Sequence, residues 1–324
     1  MSEREKDAEP TMLSPDDAFA VLGNETRMEI LRTLGEADGA LLFSELRDRV
    51  GMRDSGQFNY HLDKVQDHFV TLTDDGYRLR QAGNRVIQAV LSGALTEAPV
   101  LEPTEIDSPC IYCGASTVVS VREGHVRHYC SECSGTYGTA TLPPVSSGEN
   151  GTREQVEDDE LGYLGGMVFP PAGIQGRTPT EVFEAGFLWA TLELLATGRG
   201  VCPRCSAPIE RSLRICEEHD TGGRVCERCG NRHAVICRAR CPNCTQSSHV
   251  PFVLLCLSDP DVLAFVTDHG LDPLQEWSAL EWTEEVERTD PFEAQFACSI
   301  DDDVLGFTVD DSLEVVEVTR NRNR

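Results

Sequence analysis

Eleven of the fourteen cysteines stand in Cys-x2-Cys or Cys-x2-His pairs, a spacing that suits metal ligation. Cys110 and Cys113 form one pair and Cys130 and Cys133 another, sixteen residues further on. Between them a strand-like Thr117–Arg122, a Glu123-Gly124 turn and a strand-like His125–Tyr129 predict a hairpin that brings the pairs together. Four thiolates on two tight knuckles suit a closed, tetrahedral structural Zn2+ site. His125 and His128 lie on the hairpin and read as surface residues.

A second group fills Cys202–Cys244 with four consecutive pairs: Cys202/Cys205, Cys216/His219, Cys226/Cys229 and Cys241/Cys244. Ten residues separate the first pair from the second, and eleven the third from the fourth. Those intervals resemble a compact double zinc ribbon, which implies one ion for the first two pairs and another for the last two. Interleaved and nested pairings fit the same spacing. With the first group this makes three structural Zn2+ sites. His233 and His249 are redundant beside eight complete ligands. Cys237, Cys256 and Cys298 are unpaired in apolar or strand-like contexts, where a thiol acts as a small buried hydrophobe. Catalytic zinc requires an open coordination position and a nearby base, which complete four-ligand sets do not leave. No Ser/His/Asp arrangement, phosphate-cradling glycine loop or dinucleotide fingerprint is present, so the sequence reads as that of a non-enzyme.

The elements around these ligands are legible in outline. In the first hundred residues, Asp16–Leu22 reads as a short helix. Asn24 is a good N-cap for the next, which places Met28, Leu31 and Leu34 on one face. Phe43–Val50 forms a third helix closed by Gly51. A fourth, from Ser55 to Phe69, carries Phe58, Leu62, Val65 and Phe69 as a core-facing stripe. Its other side presents Gln57, Tyr60 and Lys64, flanked by Asn59 and His61. Such side chains can read base edges or hold phosphate. Thr71–Thr73, Asp74-Asp75-Gly76 and Tyr77–Leu79 then form strand, turn and strand. This order is that of a winged helix-turn-helix, whose default partner is double-stranded DNA, with Arg53, Arg78 and Arg80 as backbone contacts.

Leu22–Leu34 resembles the second helix of ArsR-type winged-helix regulators, and Ser55-Gly56-Gln57-Phe58-Asn59-Tyr60-His61-Leu62 resembles the recognition helix of their haloarchaeal members. The resemblance covers residues 14–95, and the later segments are similar to the zinc-containing C-terminal parts of such regulators. It implies a homodimer formed through the first and last helices, here Asp16–Leu22 and Gln81–Leu95, the latter with Ile87, Val90, Leu91 and Ala94 as a seam. The cysteines that metal-sensing members place before the turn are missing, because Leu41–Asp48 offers no soft ligand.

Charge sets the environment. The net charge is −27, and Lys6 and Lys64 are the only lysines. Acidic excess with scarce lysine keeps a protein hydrated in multimolar salt, where self-repulsion is screened within a few ångströms. Residues 14–95 hold nine basic and thirteen acidic side chains, while residues 96–324 hold seventeen and thirty-eight. The DNA-binding candidate is therefore the least acidic region. Even so, Asp63, Asp67, Asp74 and Asp75 oppose phosphate. No signal peptide or membrane segment is visible, which predicts a cytoplasmic protein with reduced thiols.

The sequence thus predicts a multidomain α+β protein: a disordered tail (1–13), a winged helix-turn-helix (14–96), a linker (97–108), a zinc ribbon (109–142), a linker (143–160), a helical connector (161–200), a double zinc-ribbon-like module (201–250) and an α+β region (251–324). In the connector, a helix from Thr180 to Ala196 presents Val182, Phe183, Phe187, Leu188, Leu192 and Leu195 as a packing or dimer face. In the last region, Asp259 and Pro260 open a helix ended by Gly270. Phe292–Ile300, Val304–Val309 and Leu313–Val318 read as strands joined by solvated Asp-rich turns. The function predicted is transcriptional regulation by sequence-specific DNA binding, with C-terminal modules for dimerisation, effector contact or contact with transcription-machinery or regulatory proteins. The alternative is a zinc-ribbon interaction adaptor whose winged helix contacts proteins and not DNA.

Overall fold

The computed structural model describes residues 13–138, 161–220, 222 and 224–321. Except for Leu13, the predicted tail 1–13 and the predicted linker 143–160 lie outside them. The chain has a mixed α/β architecture of small sheets and helices and divides into two compact units, Met1–Glu97 and Ala98–Arg324. Among the described residues no helix is long and apolar enough to cross a membrane.

The first unit begins with α1 (Pro15–Leu22), capped by Ser14, and α2 (Glu25–Gly35), capped by Asn24 through the Arg27 N–H. Ile30, Leu31 and Leu34 are the buried residues of α2, and Met28 is only half-buried. Helix α3 (Phe43–Val50) stops at Gly51, whose φ of 77° is left-handed. Helix α4 (Ser55–Val65) starts at Asp54, whose carboxylate accepts from the Gly56 and Gln57 N–H groups. It ends one turn earlier than its apolar stripe predicts. Gln66 is extended and Asp67 has a φ of 68°. Phe69 still reaches the core, through this turn and not along the helix.

Strands β1 (Val70–Thr73) and β2 (Gly76–Leu79) pair antiparallel with Asp74 and Asp75 between them. Gly76 sits at φ 124°, where a Cβ would lie 2.5 Å from the Leu41 carbonyl oxygen. The missing side chain lets Tyr77 and Leu41 exchange backbone hydrogen bonds. Helix α5 (Gln81–Leu91) closes the unit and is shorter than the predicted Gln81–Leu95, because the chain leaves the helix at Ser92 and Gly93 turns at φ 73°. Ile87, predicted for a dimer seam, belongs to this unit's own core.

Among its described residues the second unit contains three antiparallel sheets. The first comprises β3 (Leu101–Ile106), β4 (Thr117–Arg122), β5 (His125–Cys130) and β6 (Gly162–Val168) in that order. Two predictions are corrected here. Residues 97–108, read as a linker because of their prolines, contain an edge strand, and a register shift between Leu101 and Thr104 absorbs Pro103. Residues 161–200, read as a helical connector, begin with β6, whose glycines hide its strand pattern. Gly162 is required there, since a Cβ would lie 1.8 Å from the Cys133 carbonyl oxygen.

Helix α6 (Pro179–Gly198) has a full capping box at Thr178 and Glu181. Val182 and Phe183 pack on the first sheet, and Phe187, Leu194 and Leu195 on a second core. Trp189 and Leu192 are exposed. The second sheet joins β7 (Glu210–Ile215), β8 (Val235–Arg240) and β9 (Ser247–Pro251). After helices α7 (Phe252–Leu255) and α8 (Pro260–Asp268) comes a four-stranded meander of β10 (Glu281–Thr289), β11 (Phe292–Ile300), β12 (Asp303–Asp310) and β13 (Val315–Asn321).

Candidate functional site

Three clusters of four soft ligands dominate the second unit: Cys110, Cys113, Cys130 and Cys133; Cys202, Cys205, Cys241 and Cys244; and Cys216, His219, Cys226 and Cys229. Within each, all ligand atoms lie within 4.8 Å of one another. Sulfur separations are 3.7 Å for Cys110–Cys133, 3.5 Å for Cys113–Cys130, 3.6 Å for Cys202–Cys244 and 3.5 Å for Cys205–Cys241. Disulfide sulfurs would sit at about 2.05 Å. A tetrahedron with ~2.3 Å metal–sulfur arms has edges of about 3.8 Å. The clusters are therefore compatible with structural zinc and not with disulfides.

Local backbone geometry makes the knuckles. In four of the pairs the first cysteine's N–H donates to the carbonyl five residues on: Cys110 to Ala115, Cys202 to Ala207, Cys226 to Asn231 and Cys241 to Gln246. In the first three its own carbonyl also accepts from the N–H four residues on, of Gly114, Ser206 and Gly230. The residue four after each first cysteine, Gly114, Ser206, Gly230 or Thr245, has positive φ. The turn aims N–H groups at sulfur. Burial raises the Cys130 thiol, but the Cys133 and Glu132 N–H groups and the Cys113 and Cys133 thiols bring it down to about 7. The Ala207 N–H and the Asn243 side chain lower Cys205 to about 6, and the Asp220 and Cys229 N–H groups lower Cys226 to about 6. Each cluster thus holds a sulfur ready to ligate as thiolate.

The linear pairing within Cys202–Cys244 is overturned, because the pairs are nested. Strands β7 and β8 pair from Glu210↔Arg240 to Ile215↔Val235. This register brings the residues before β7 beside those after β8, so Cys202 and Cys205 meet Cys241 and Cys244. The inner pairs lie in the connection at the opposite end of the hairpin and close on one another. The strand-like runs Arg211–Ile215 and Val235–Ala239 carried this signal, because pairing them antiparallel puts Cys205 next to Cys241.

Residues that spacing did not reveal hold the inner cluster in place. His219 Nδ1 is 3.6 Å from Cys229 Sγ, while Nε2 is 3.1 Å from the Arg232 carbonyl, an arrangement in which Nε2–H donates and Nδ1 is left for the ion. The Arg232 guanidinium lies 4.0 Å from the ring centroid of Tyr112, inside the first cluster's knuckle, and Nε donates to the Gly135 carbonyl at 3.1 Å. Partly buried Glu284 accepts from the Ala234 and Val235 N–H groups, and His233 stands 3.8 Å from its carboxylate. Burial raises Glu284 and lowers His233 to about 4. Neither His233 nor His249 joins a cluster. Cys237, Cys256 and Cys298 are buried in one apolar core, where burial pushes Cys237 up to about 11 and Cys298 to about 12. His128, predicted at the surface, is mostly buried against Phe183 with ring centroids 4.3 Å apart, and burial lowers it to about 4.

In the first unit, α4 places Phe58, Leu62 and Val65 inside, fully buried, and Gln57, Asn59, Tyr60 and Lys64 outside. His61 is half-buried. Lys64 Nζ stands 5.5 Å from the Tyr60 ring centroid, and Asn59 donates to Asp63 at 2.9 Å. Arg53 precedes the helix and Arg78 lies on β2, both exposed. Arg80 is exposed too, but its guanidinium donates to the Asp67 carbonyl and thereby ties the turn after α4 to the end of β2. No cysteine occurs in this unit.

One compact unit without cysteine and one with three four-ligand clusters define the molecule. The chain belongs to the family described as "Domain of unknown function (DUF7351)", whose model matches residues 107–315 and so takes in every cluster. A second model, "Domain of unknown function (DUF7347)", matches residues 15–90. No curated protein matches the chain, and no solved structure does.

Proposed function

We propose that this protein is a DNA-binding transcriptional regulator of ArsR type in which α3 and α4 form a helix-turn-helix, α4 enters the major groove and the β1–β2 hairpin is the wing. The division of α4 carries the reading. One face is fully buried, while Gln57, Asn59, Tyr60 and Lys64 stand exposed on the other and a two-stranded hairpin follows. A helix that only filled a core would have no need of an amide, a phenol and the single lysine of residues 14–95 on its outer side. Tyr60 and Lys64 are one turn apart and reach the same patch. Exposed Phe19 on α1 and Leu91 and Leu95 around the end of α5 support a homodimer.

In this proposal the three clusters hold Zn2+ as structural clips. A bound Zn2+ supplies four strong bonds to each cluster and, with four protein ligands, no open position for catalysis. The protein acts in the cytoplasm as a regulator and not as an enzyme, and its metal-bearing unit serves dimerisation, effector contact or contact with a regulatory protein.

The adaptor reading draws on the hairpin tip, where Asp74 and Asp75 are both exposed and would repel phosphate. A mobility-shift assay on genomic fragments, with zinc-loaded protein at high potassium chloride, separates the two. Lys64→Ala should weaken binding to all sequences and flatten the salt dependence by about one unit of slope. Gln57→Ala should instead relax preference at one position, by roughly 1–3 kcal/mol. If the folded wild-type protein shifts no fragment, DNA binding fails and the adaptor reading replaces it.

A further inference from the structure

The exposed face of the β7–β8–β9 sheet carries charge of the wrong sign for this chain. Nine arginines and five acidic residues lie between Arg199 and Arg240, in a protein of net charge −27. Some of those arginines are spoken for: Arg204 pairs with Glu193, Arg211 with Glu314 and Arg228 with Glu218. Arg214, Arg238 and Arg240 are in no ion pair among the described residues.

The strand register puts these three together. Leu213, Cys237 and Val250 face the core. On the opposite face, Glu210, Arg240 and Ser247 form one row, Ser212, Arg238 and His249 the next, and Arg214 stands one row beyond on β7. All seven are exposed. Burial, and then the charges of Arg238 and Arg214, lower the His249 pKa, which places the two guanidiniums within electrostatic reach of one imidazole. Glu210 is the one acidic side chain in these rows.

Three guanidiniums without an ion-pair partner on one exposed face offer their donors to a polyanion. In molar salt the Debye length is about 3 Å, so diffuse attraction vanishes and direct contact remains. Arginine suits that contact, because its planar fork binds phosphate oxygens in pairs and sheds water more readily than an ammonium group. The neighbouring Ser212 and Ser247 hydroxyls add donors of the kind that fix a phosphate backbone without reading bases.

We propose that this face, with Arg214, Arg238 and Arg240, binds the phosphate backbone of duplex DNA as a second contact, independent of α4. The choice of duplex DNA among polyanions rests on the reading of the first unit. The contact is made to phosphates and not to base edges, so it adds affinity and not sequence preference.

The test measures binding of the full zinc-loaded chain to a random-sequence DNA duplex over a range of potassium chloride. The triple variant Arg214→Gln, Arg238→Gln, Arg240→Gln should flatten the slope of log affinity against log salt by about two to three units. The triple Arg→Lys variant should keep most of that slope, and both should keep the wild-type metal content as a check on folding. A wild-type slope in the folded glutamine variant overturns the proposal. So does a loss seen with single-stranded RNA but not with duplex DNA, or a change confined to self-association. The same series in a Gln57→Ala, Lys64→Ala background keeps the two readings apart. If that background has the wild-type slope and preference while the arginine triple still flattens the slope, the α4 reading fails and this one stands.

Discussion

The two compact units meet the same demand, a defined structure in a strongly charged chain, by different means. The first has no cysteine and closes over Ile30, Leu31, Leu34, Leu46, Phe58, Leu62, Val65 and their neighbours. Each such burial contributes about 1.5–3 kcal/mol, enough to hold short helices together. In the second, β7 has no buried residue at all, and the connection from Cys216 to His233 contains neither helix nor strand among its described residues. Four side chains able to ligate a metal meet across that connection, where a core would otherwise be needed. The ligand clusters do not extend over the whole unit, however. The β10–β13 meander packs Phe292, Phe296, Phe307 and Val309 against Phe252 and Phe265 and is held as the first unit is. The difference is one of economy of surface: a segment too short to bury its own core can be held by metal ligation instead, and the four-ligand clusters are compatible with that.

The sharpest way to break this comparison is to remove the metal. Structural zinc supplies roughly 10–16 kcal/mol of apparent folding free energy per site. A strong chelator under reducing conditions and high salt should therefore abolish hydrogen-exchange protection across Cys202–Cys244 and the Cys110–Cys133 hairpin. The amides of α2 and α4 should keep theirs, because no ligand lies in that unit. Retained protection from Cys216 to Cys229 after complete removal would show that the connection folds by itself. Before chelation, elemental analysis should give three equivalents, one for each cluster.

How much of this was legible depended on which physics set each element. Helices α2, α3 and α8 follow from caps and periodicity, and Asn24, Gly51 and Asp259 mark their ends in sequence and structure alike. All twelve ligands fall in the clusters, since Cys-x2-Cys spacing is a local property of the knuckle. Their partnership is not local, because strand pairing decides it, and the linear assignment was wrong for that reason. Strand β10 was missed. Its residues Trp282, Glu284 and Val286 do alternate inward, but a glutamate breaks the apolar pattern, and only the Ala234 and Val235 N–H groups, distant in sequence, satisfy it. Strands β3 and β6 are hidden by proline, which an edge strand tolerates, and by glycine, which the close approach of Gly162 to Cys133 requires.

A smaller perturbation sharpens the comparison inside the clipped region. Cys202→Ser opens the outer cluster alone, so alkylation under native conditions should label Cys241 and Cys244 quickly while Cys226 and Cys229 stay protected. Cys216→Ser should do the reverse, freeing Cys226 and Cys229 and leaving Cys202 and Cys244 slow. Linear pairing gives the opposite pattern, with Cys202→Ser freeing Cys216 and sparing Cys241. Mass-spectrometric mapping of the labelled thiols decides between them, and equal labelling of all four partners in either variant would mean the two clusters melt as one.

The smallest expected effect asks whether ligands are the sole support of the inner connection. Arg232 follows the last inner ligand and reaches into the first cluster, lying over the Tyr112 ring at 4.0 Å and donating to the Gly135 carbonyl. A cation–π contact is worth about 0.5–2 kcal/mol and a net hydrogen bond about 0.5–1.5 kcal/mol. Arg232→Ala should therefore weaken docking by about 1–3 kcal/mol, which is roughly fivefold to 150-fold in the inner cluster's metal affinity. Arg232→Lys should fall between, since it keeps the charge and loses the planar fork. Competition with a graded chelator, followed cluster by cluster through cysteine alkylation, reads this directly. Release should quicken at Cys226 and Cys229, with Cys202 and Cys205 unchanged, because Tyr112 and Gly135 belong to the first cluster and not the outer one. If release from the inner cluster keeps its wild-type rate, the arginine contributes nothing to holding the loop. The connection then stands on its four ligands alone, at the extreme opposite to the cysteine-free first unit.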